Sequence, residues 1–380
     1  MSFASKLPDV GITIFTVMSK LAADHRAINL SQGFPDFEAP AELIEQVSHY
    51  MRRGLNQYAP MQGVPALRQR IAEKIKAIYG AEIDPDAQIT ITSGATEALY
   101  AAITAVVRSG DEVIVLEPAY DSYAPAIQLS GGRPVYVPLA FPGYRVDWDR
   151  LRAALSARTR LIILNSPHNP TGTVLAPADA AVLQEIAAER DIYILSDEVY
   201  EHIIFDGRPH QSMLRYPELA RKSFVVSSFG KTYHTTGWKI GYCVAPPQLT
   251  VEFQKIHQFL TFTSNTPIQL AYADFMRHTD HYLHLAEFYQ RKRDLFLDLM
   301  KGSRFKPLPC AGTYFQMMDY ADITAEADVD FARRLTTQYG VAAIPPSVFY
   351  HDRQDHRVLR FCFAKQDQTL RQAAEKLCRI

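Results

Sequence analysis

Cysteine is scarce in this chain: four among 380 residues, the widely spaced Cys243, Cys310, Cys362 and Cys378, with no C-x-x-C pair. A disulfide framework is therefore not expected, and the cytoplasm is the expected compartment. Twelve histidines are present but none stands in H-E-x-x-H or a comparable ligand spacing, so no metal site is expected. Charge of one sign is also missing. With 40 basic against 41 acidic residues the net charge is −1, which predicts no binding to nucleic acid or to an anionic membrane. No apolar run approaches the length of a membrane-spanning helix, and the first thirty residues lack the charged-then-apolar layout of a signal peptide. Internal repeats and low-complexity segments are absent too. What remains is a globular composition, long enough for one large domain and a smaller one.

The middle of the chain alternates short apolar runs with helix-like segments. Strands are expected at 89–92, 113–116, 161–164, 192–195, 224–227 and 240–244, all rich in Ile, Val and Leu, as strands buried on both faces are. "TEALYAAITAVVRSG" and "PADAAVLQEIAAER" read as helices between them. The pattern predicts an α/β fold, a mostly parallel sheet covered by helices, with at least one antiparallel strand because the last two runs are joined too briefly for a crossover. Beyond about residue 280, "HYLHLAEFYQRKRDLFLDLMKG" reads as one long amphipathic helix, followed by strand-like "GTYFQMMDY" and "RVLRFCFAK". The expected domains are thus 46–280 (large) and 281–380 (small, α+β), with the loop-rich segment 1–45 packing on the small one.

Five strand ends carry unlike polar groups: "TSGATEA", "EPAYDSY", "NSPHNPTG", "SDEVYEH" and "SSFGK". In open α/β sheets ligands lie outside the carboxyl ends of the strands, so these five segments are expected to share one rim. The triplet Gly230-Lys231-Thr232 suggests a phosphate-gripping P-loop, but the first glycine of that motif falls on Val225, a β-branched residue inside a strand. Lys231 instead suits Schiff-base chemistry, since burial and nearby cations free a lysine amine as a nucleophile; a lysine in a loop is otherwise an ordinary surface residue. Ser228 and Lys239 beside it offer a hydroxyl and a second cation to a phosphate. "SGAT", residues 93–96, opens a helix whose N–H groups can hold an anion. Asp197 ends an apolar run, where a carboxylate needs a cationic partner; a protonated pyridine nitrogen would be one, and a helix N-cap role is the plain alternative.

These segments, with "SSFGKTYHTTGWKIGY" and "RFCFAK", resemble the motif series of fold-type-I pyridoxal-phosphate aminotransferases, from about "NLSQGFPDF" to the end of the chain. The likeness is greatest to the branch holding bacterial methionine aminotransferases and the kynurenine/glutamine transaminases. The resemblance implies a seven-stranded-type sheet with helices on both faces and pyridoxal 5'-phosphate as cofactor. It makes Lys231 the lysine joined to the cofactor aldehyde and the later proton carrier. Asp197 would hold the pyridine nitrogen protonated, and Asn169 and Tyr200 would hydrogen-bond the ring's phenolic oxygen. Ala95, Thr96, Ser228 and Lys239 would bind the phosphate, the last standing where many relatives carry arginine. Tyr120 would stack on the ring, and Tyr58 would reach the phosphate of a neighbouring subunit, which implies a homodimer with shared sites. Arg360 would grip the substrate carboxylate, helped by Gly33 and Asn169, and Phe15 would wall the side-chain pocket. The implied donors are neutral and large: methionine first, then phenylalanine, tyrosine, glutamine or kynurenine, with a 2-oxo acid as acceptor. A β-lyase acting on cystathionine or cysteine conjugates and a regulator that merely binds the cofactor are the competing readings.

Overall fold

The computed structural model describes residues 4–380, with twelve strands among them: β1 (Ile28–Asn29), β2 (Ile89–Thr92), β3 (Glu112–Glu117), β4 (Arg133–Pro138), β5 (Thr159–Asn165), β6 (Tyr193–Asp197), β7 (Ser223–Ser228), β8 (Gly241–Val244), β9 (Lys306–Pro307), β10 (Phe315–Asp319), β11 (Val341–Ala342) and β12 (Val358–Cys362). Seven of them form one sheet in the order β2-β8-β7-β6-β5-β3-β4. All neighbours run parallel except β8, which is antiparallel to both β2 and β7. Every residue of β2, β3 and β8 is buried, which is why these runs do not alternate apolar with charged residues and keep their only charges, Glu112 and Glu117, at the two ends of β3. The strands expected at 89–92, 113–116, 161–164, 192–195, 224–227 and 240–244 are all present, with ends displaced by no more than two residues. The sequence reading missed β4, an edge strand with two prolines whose side chains are only partly covered.

Helix Gly94–Val106 lies between the sheet and helix Pro247–Leu260, so it is apolar nearly all round, with Ala98, Leu99, Ala102 and Ile103 buried. Its start is fixed by Gly94 at φ +76°, a left-handed turn that lets the chain leave β2 sharply.

A second apolar core gathers Met18 and Leu30 with Phe296, Phe305, Phe331, Leu335, Leu359, Phe361 and Leu370. A three-stranded antiparallel sheet, β12-β10-β9, runs through it, and β1 pairs in parallel with β11. Segment "NLSQGFPDF", which shows no periodicity, supplies Asn29 to β1, whose two residues are too few to carry a pattern. The single long helix expected over 281–302 is instead two, Asp280–Leu283 and Leu285–Leu299, broken at His284. Tyr200, Ile203 and Phe205, which follow β6, also pack into this second core. The ends of β6 and β7 therefore face the seam between the two cores.

Candidate active site

A cavity of about 150 Å³ opens at that seam, lined by residues from all five polar segments, among them Gly94, Tyr120, Asn169, Asp197 and Lys231. Lys231 sits in a one-turn helix, Phe229–Thr232, directly after β7. Its amine donates to Tyr314 Oη at 3.1 Å and to Gly33 O at 3.3 Å, and Tyr314 in turn donates to Gly33 O at 2.5 Å. Burial pulls the Lys231 pKa down to about 8, with Lys239 and Arg360 adding to the fall. A free, nucleophilic amine is thus available from about pH 8, well below the range of an exposed lysine.

Asp197 is the last residue of β6 and is 4% exposed. No helix follows it, which removes the N-cap alternative. Its carboxylate accepts from Tyr123 Oη at 2.6 Å and from Val199 N at 3.3 Å. Burial lifts its pKa to about 6, while those two bonds and Lys231 pull the other way. A buried carboxylate held only by neutral donors is short of a cation. Asn165 fastens the same corner: its amide donates to Asp197 O and its carbonyl accepts from Asn169 N.

The other side of the cavity is an anion cradle. The N–H groups of Ala95 and Thr96 lie in the first turn of helix Gly94–Val106, where no helical carbonyl is available to them. Ser228, Thr236 and Lys239 line the same wall. The fit is close at Gly94, where an added Cβ would stand 3.2 Å from Lys239 Nζ, and at Gly241, where one would stand 2.9 Å from Ala95 N. Only glycine lets the lysine and the helix start approach this closely. Tyr120 reaches the cavity with its ring edge-on to Tyr123, centroids 5.7 Å apart, and burial pushes the Tyr120 phenol up. Tyr200 is 3% exposed, and burial drives its phenol well up as well.

Arg360 lies mid-strand in β12 rather than at its end, with no exposed surface. Its guanidinium donates to Asn169 Oδ1 at 2.9 Å and to Ser31 O at 2.7 Å. Nε has no partner, and no carboxylate pairs with the group among the described residues. Burial drops its pKa to about 10. A buried arginine with one unpartnered N–H and no counter-ion calls for a carboxylate. Phe15 and Phe315 flank it, with the guanidinium 5.2 Å and 3.9 Å from their ring centroids. Gly33 is confined by Phe315, whose ring carbon would stand 2.8 Å from an added Cβ.

Twelve of the thirteen residues singled out from the sequence therefore gather around one cavity and its Arg360 rim. Tyr58 does not: it is 83% exposed, edge-on to Phe262 at 5.5 Å, beside a separate surface hollow formed with residues 263–267. Sequence reading passed over Tyr123, Asn165, Tyr314 and Ser31. All four stand inside or next to the quoted motifs, but spacing alone does not tell which polar side chain of a loop turns inward.

A free amine, a cation-poor carboxylate and an anion cradle in one cavity fit pyridoxal phosphate, whose aldehyde, ring nitrogen and phosphate ask for those groups. Comparison with known proteins gives the family. Residues 25–377 match the family model for "Aminotransferase class I and II". The chain is 55% identical to the methionine aminotransferase of Escherichia coli K12, over 98% of this chain and 97% of that one. It superposes on the crystal structure of YbdL from Escherichia coli, reported with a methionine aminotransferase function, with a TM-score of 0.98, 54% identity and full coverage of both chains. The N-succinyldiaminopimelate aminotransferase of Mycobacterium tuberculosis matches with a TM-score of 0.95, 35% identity and full coverage of both chains. The chain belongs to the class I and II aminotransferases.

Proposed function

We propose that this enzyme transfers the amino group of methionine, and less selectively of other large neutral amino acids, to a 2-oxo acid, using pyridoxal 5'-phosphate in a homodimer of the cytoplasm. The observation that carries the reading is the buried Arg360, with its Nε unpartnered and phenylalanine rings on two sides, its charge acting on the amine of Lys231. It asks for a carboxylate that arrives with an apolar side chain. The identity with a methionine aminotransferase over nearly the whole chain supports the same donor.

Each residue then has a task. Arg360 and Asn169 grip the substrate carboxylate, and Gly33 keeps the rim narrow. This fixes the Cα–H bond toward Lys231, whose amine, neutral above about pH 8, takes the proton from Cα. Ala95, Thr96, Ser228 and Lys239 would hold the phosphate of pyridoxal phosphate, Asp197 the proton on its ring nitrogen, Asn169 and Tyr200 its phenolic oxygen, and Tyr120 its ring face. When bound, that cofactor supplies the electron sink that makes Cα–H loss possible. Tyr123 and Asn165 keep the Asp197 carboxylate in place.

Tyr58 belongs to this reading through a second copy of the chain. Met51, Leu55, Tyr58, Phe259, Leu260 and Phe262 are large apolar side chains left exposed around one region, which supports an interface there. The cytoplasmic location rests on the scarcity of cysteine.

Titrating the purified protein with a panel of amino acids tests the reading. Methionine is expected to discharge the yellow chromophore most effectively, with phenylalanine, tyrosine, glutamine and kynurenine overlapping, since an apolar pocket separates neighbours by only about 1–3 kcal/mol. Release of pyruvate and ammonia from cystathionine in place of amino-group transfer would turn the assignment to a β-lyase.

A further inference from the structure

Helix Gly94–Val106 carries a carboxylate, Glu97, in the same first turn that forms the anion cradle. Its Oε2 accepts from Ser93 N at 3.1 Å, so it already draws on the positive end of the helix that a phosphate would use. A bare carboxylate there would repel a phosphate dianion one turn away. Glu97 is not bare. Its Oε1 stands 3.0 Å from Nδ1 of His257, a side chain with no exposed surface that reaches across from helix Pro247–Leu260. The other ring nitrogen, Nε2, is 3.0 Å from Met61 O.

The hydrogen-bond chemistry of the ring fixes its proton count. A carbonyl oxygen can only accept, so Nε2 carries a proton. Nδ1 faces a carboxylate oxygen, and a second proton must lie between them. Imidazolium with carboxylate and imidazole with carboxylic acid both satisfy this, and either way the pair is neutral as a unit. Nothing in the proposed reaction uses His257, yet it is fully buried and bonded at both nitrogens, with Thr261 Oγ1 a further 3.4 Å from Nδ1. Three segments far apart in sequence, around residues 61, 97 and 257, meet at this ring.

We infer that His257 is a positioning residue that neutralises Glu97 and so leaves the first turn of helix Gly94–Val106 free to hold the cofactor phosphate. The inference deepens the phosphate subsite of the proposed function and rests on that reading.

The test compares pyridoxal phosphate with pyridoxal, which has the aldehyde for Lys231 but no phosphate. Cofactor-free protein is titrated with each at pH 8, and the ratio of the two affinities is the readout. His257→Gln leaves Glu97 without its partner, and the ratio is expected to fall about tenfold or more. Adding Glu97→Gln removes the stranded charge, and the double variant is expected to regain the wild-type ratio. Glu97→Gln alone is expected to keep that ratio, because its amide can still accept from Ser93 N and donate to a neutral ring. Equal loss of both ligands in His257→Gln, or a double variant no better than the single, overturns the inference. Should His257→Gln not fold, Glu97→Gln decides alone: a tenfold loss in its ratio overturns the inference. Wild-type protein that takes up neither compound overturns the cofactor reading itself, and the inference with it.

Discussion

Tyr123 donates its hydroxyl proton to the Asp197 carboxylate at 2.6 Å, although the two are 74 residues apart, one opening helix Tyr123–Leu129 and the other closing β6. The bond helps a buried carboxylate stay ionised where burial alone would protonate it. Removing the hydroxyl in Tyr123→Phe is expected to lower kcat about tenfold, with KM for methionine little changed. Steady-state kinetics check this, and equal kcat in the two proteins would make Tyr123 a packing residue only.

Asp197→Asn has opposite effects on activity and stability. Without a cation, the ordinary carboxylate range shifts up to about 6 on folding, so the folded chain holds a proton that the unfolded chain releases. Asp197 therefore contributes stability below about pH 4, lost as pH rises through 6. At pH 8 the cofactor-free Asn variant is expected to be more stable than the parent by on the order of 2–3 kcal/mol. Turnover of the reconstituted variant is expected to fall far more than its substrate affinity. Urea melts at pH 4 and pH 8, alongside kcat, measure both; a variant as active as the parent would count heavily against the pyridine role.

Lys231 is expected to impose a pH limb of its own. Its folded pKa is lowered to about 8, so the ammonium form is lost well before that of a lysine in water. The rate at which cofactor-free protein captures pyridoxal phosphate should climb with pH and level off just above 8, whereas an exposed lysine would still be gaining beyond pH 10. Stopped-flow absorbance follows the reaction. Borohydride should then fix the chromophore on Lys231, and labelling of another lysine would refute the assignment.

Arg360→Lys keeps the charge but loses the planar fork. Asn169 Oδ1 and Ser31 O, each now bonded to a different guanidinium nitrogen, cannot both be reached while a carboxylate is gripped as well. KM for the amino acid is expected to rise about tenfold to a hundredfold, with a smaller change in kcat. A KM within twofold of the parent would move the carboxylate site elsewhere.

Tyr58 is a test of assembly. Sedimentation is expected to give a dimer, and Tyr58→Phe is expected to weaken pyridoxal phosphate binding about tenfold through a lost hydrogen bond to the phosphate. Because the side chain is 83% exposed in the single chain, the Tm of the cofactor-free variant should stay where it was. A monomer in sedimentation, or unchanged affinity, removes the shared site.

The order of the strands along the chain and the polar character of their ends were legible in the sequence. Buried parallel strands must be continuous apolar runs, and the loops that follow them must carry whatever is not apolar. Lys231 after β7 and Asp197 at the end of β6 stand out on those grounds. The edge strand β4, the two-residue pairing of β1 with β11 and the break at His284 did not stand out. An edge strand, a two-residue strand and a one-residue interruption leave too little periodicity to detect.

What the chain determines by itself, then, is which segments are buried and which residue types end them, because hydrophobic periodicity is a local property. Which side chains meet is a matter of sheet order and domain packing. Arg360 finds Asn169 across 191 residues and Ser31 across 329, Lys231 finds Tyr314 across 83, and His257 finds Glu97 across 160. The first three pairings exist only once β12 is laid beside β10 and the second core closes on the ends of β6 and β7, and the last only once helix Pro247–Leu260 packs on helix Gly94–Val106, since no spacing rule along the chain encodes a distance between its remote parts.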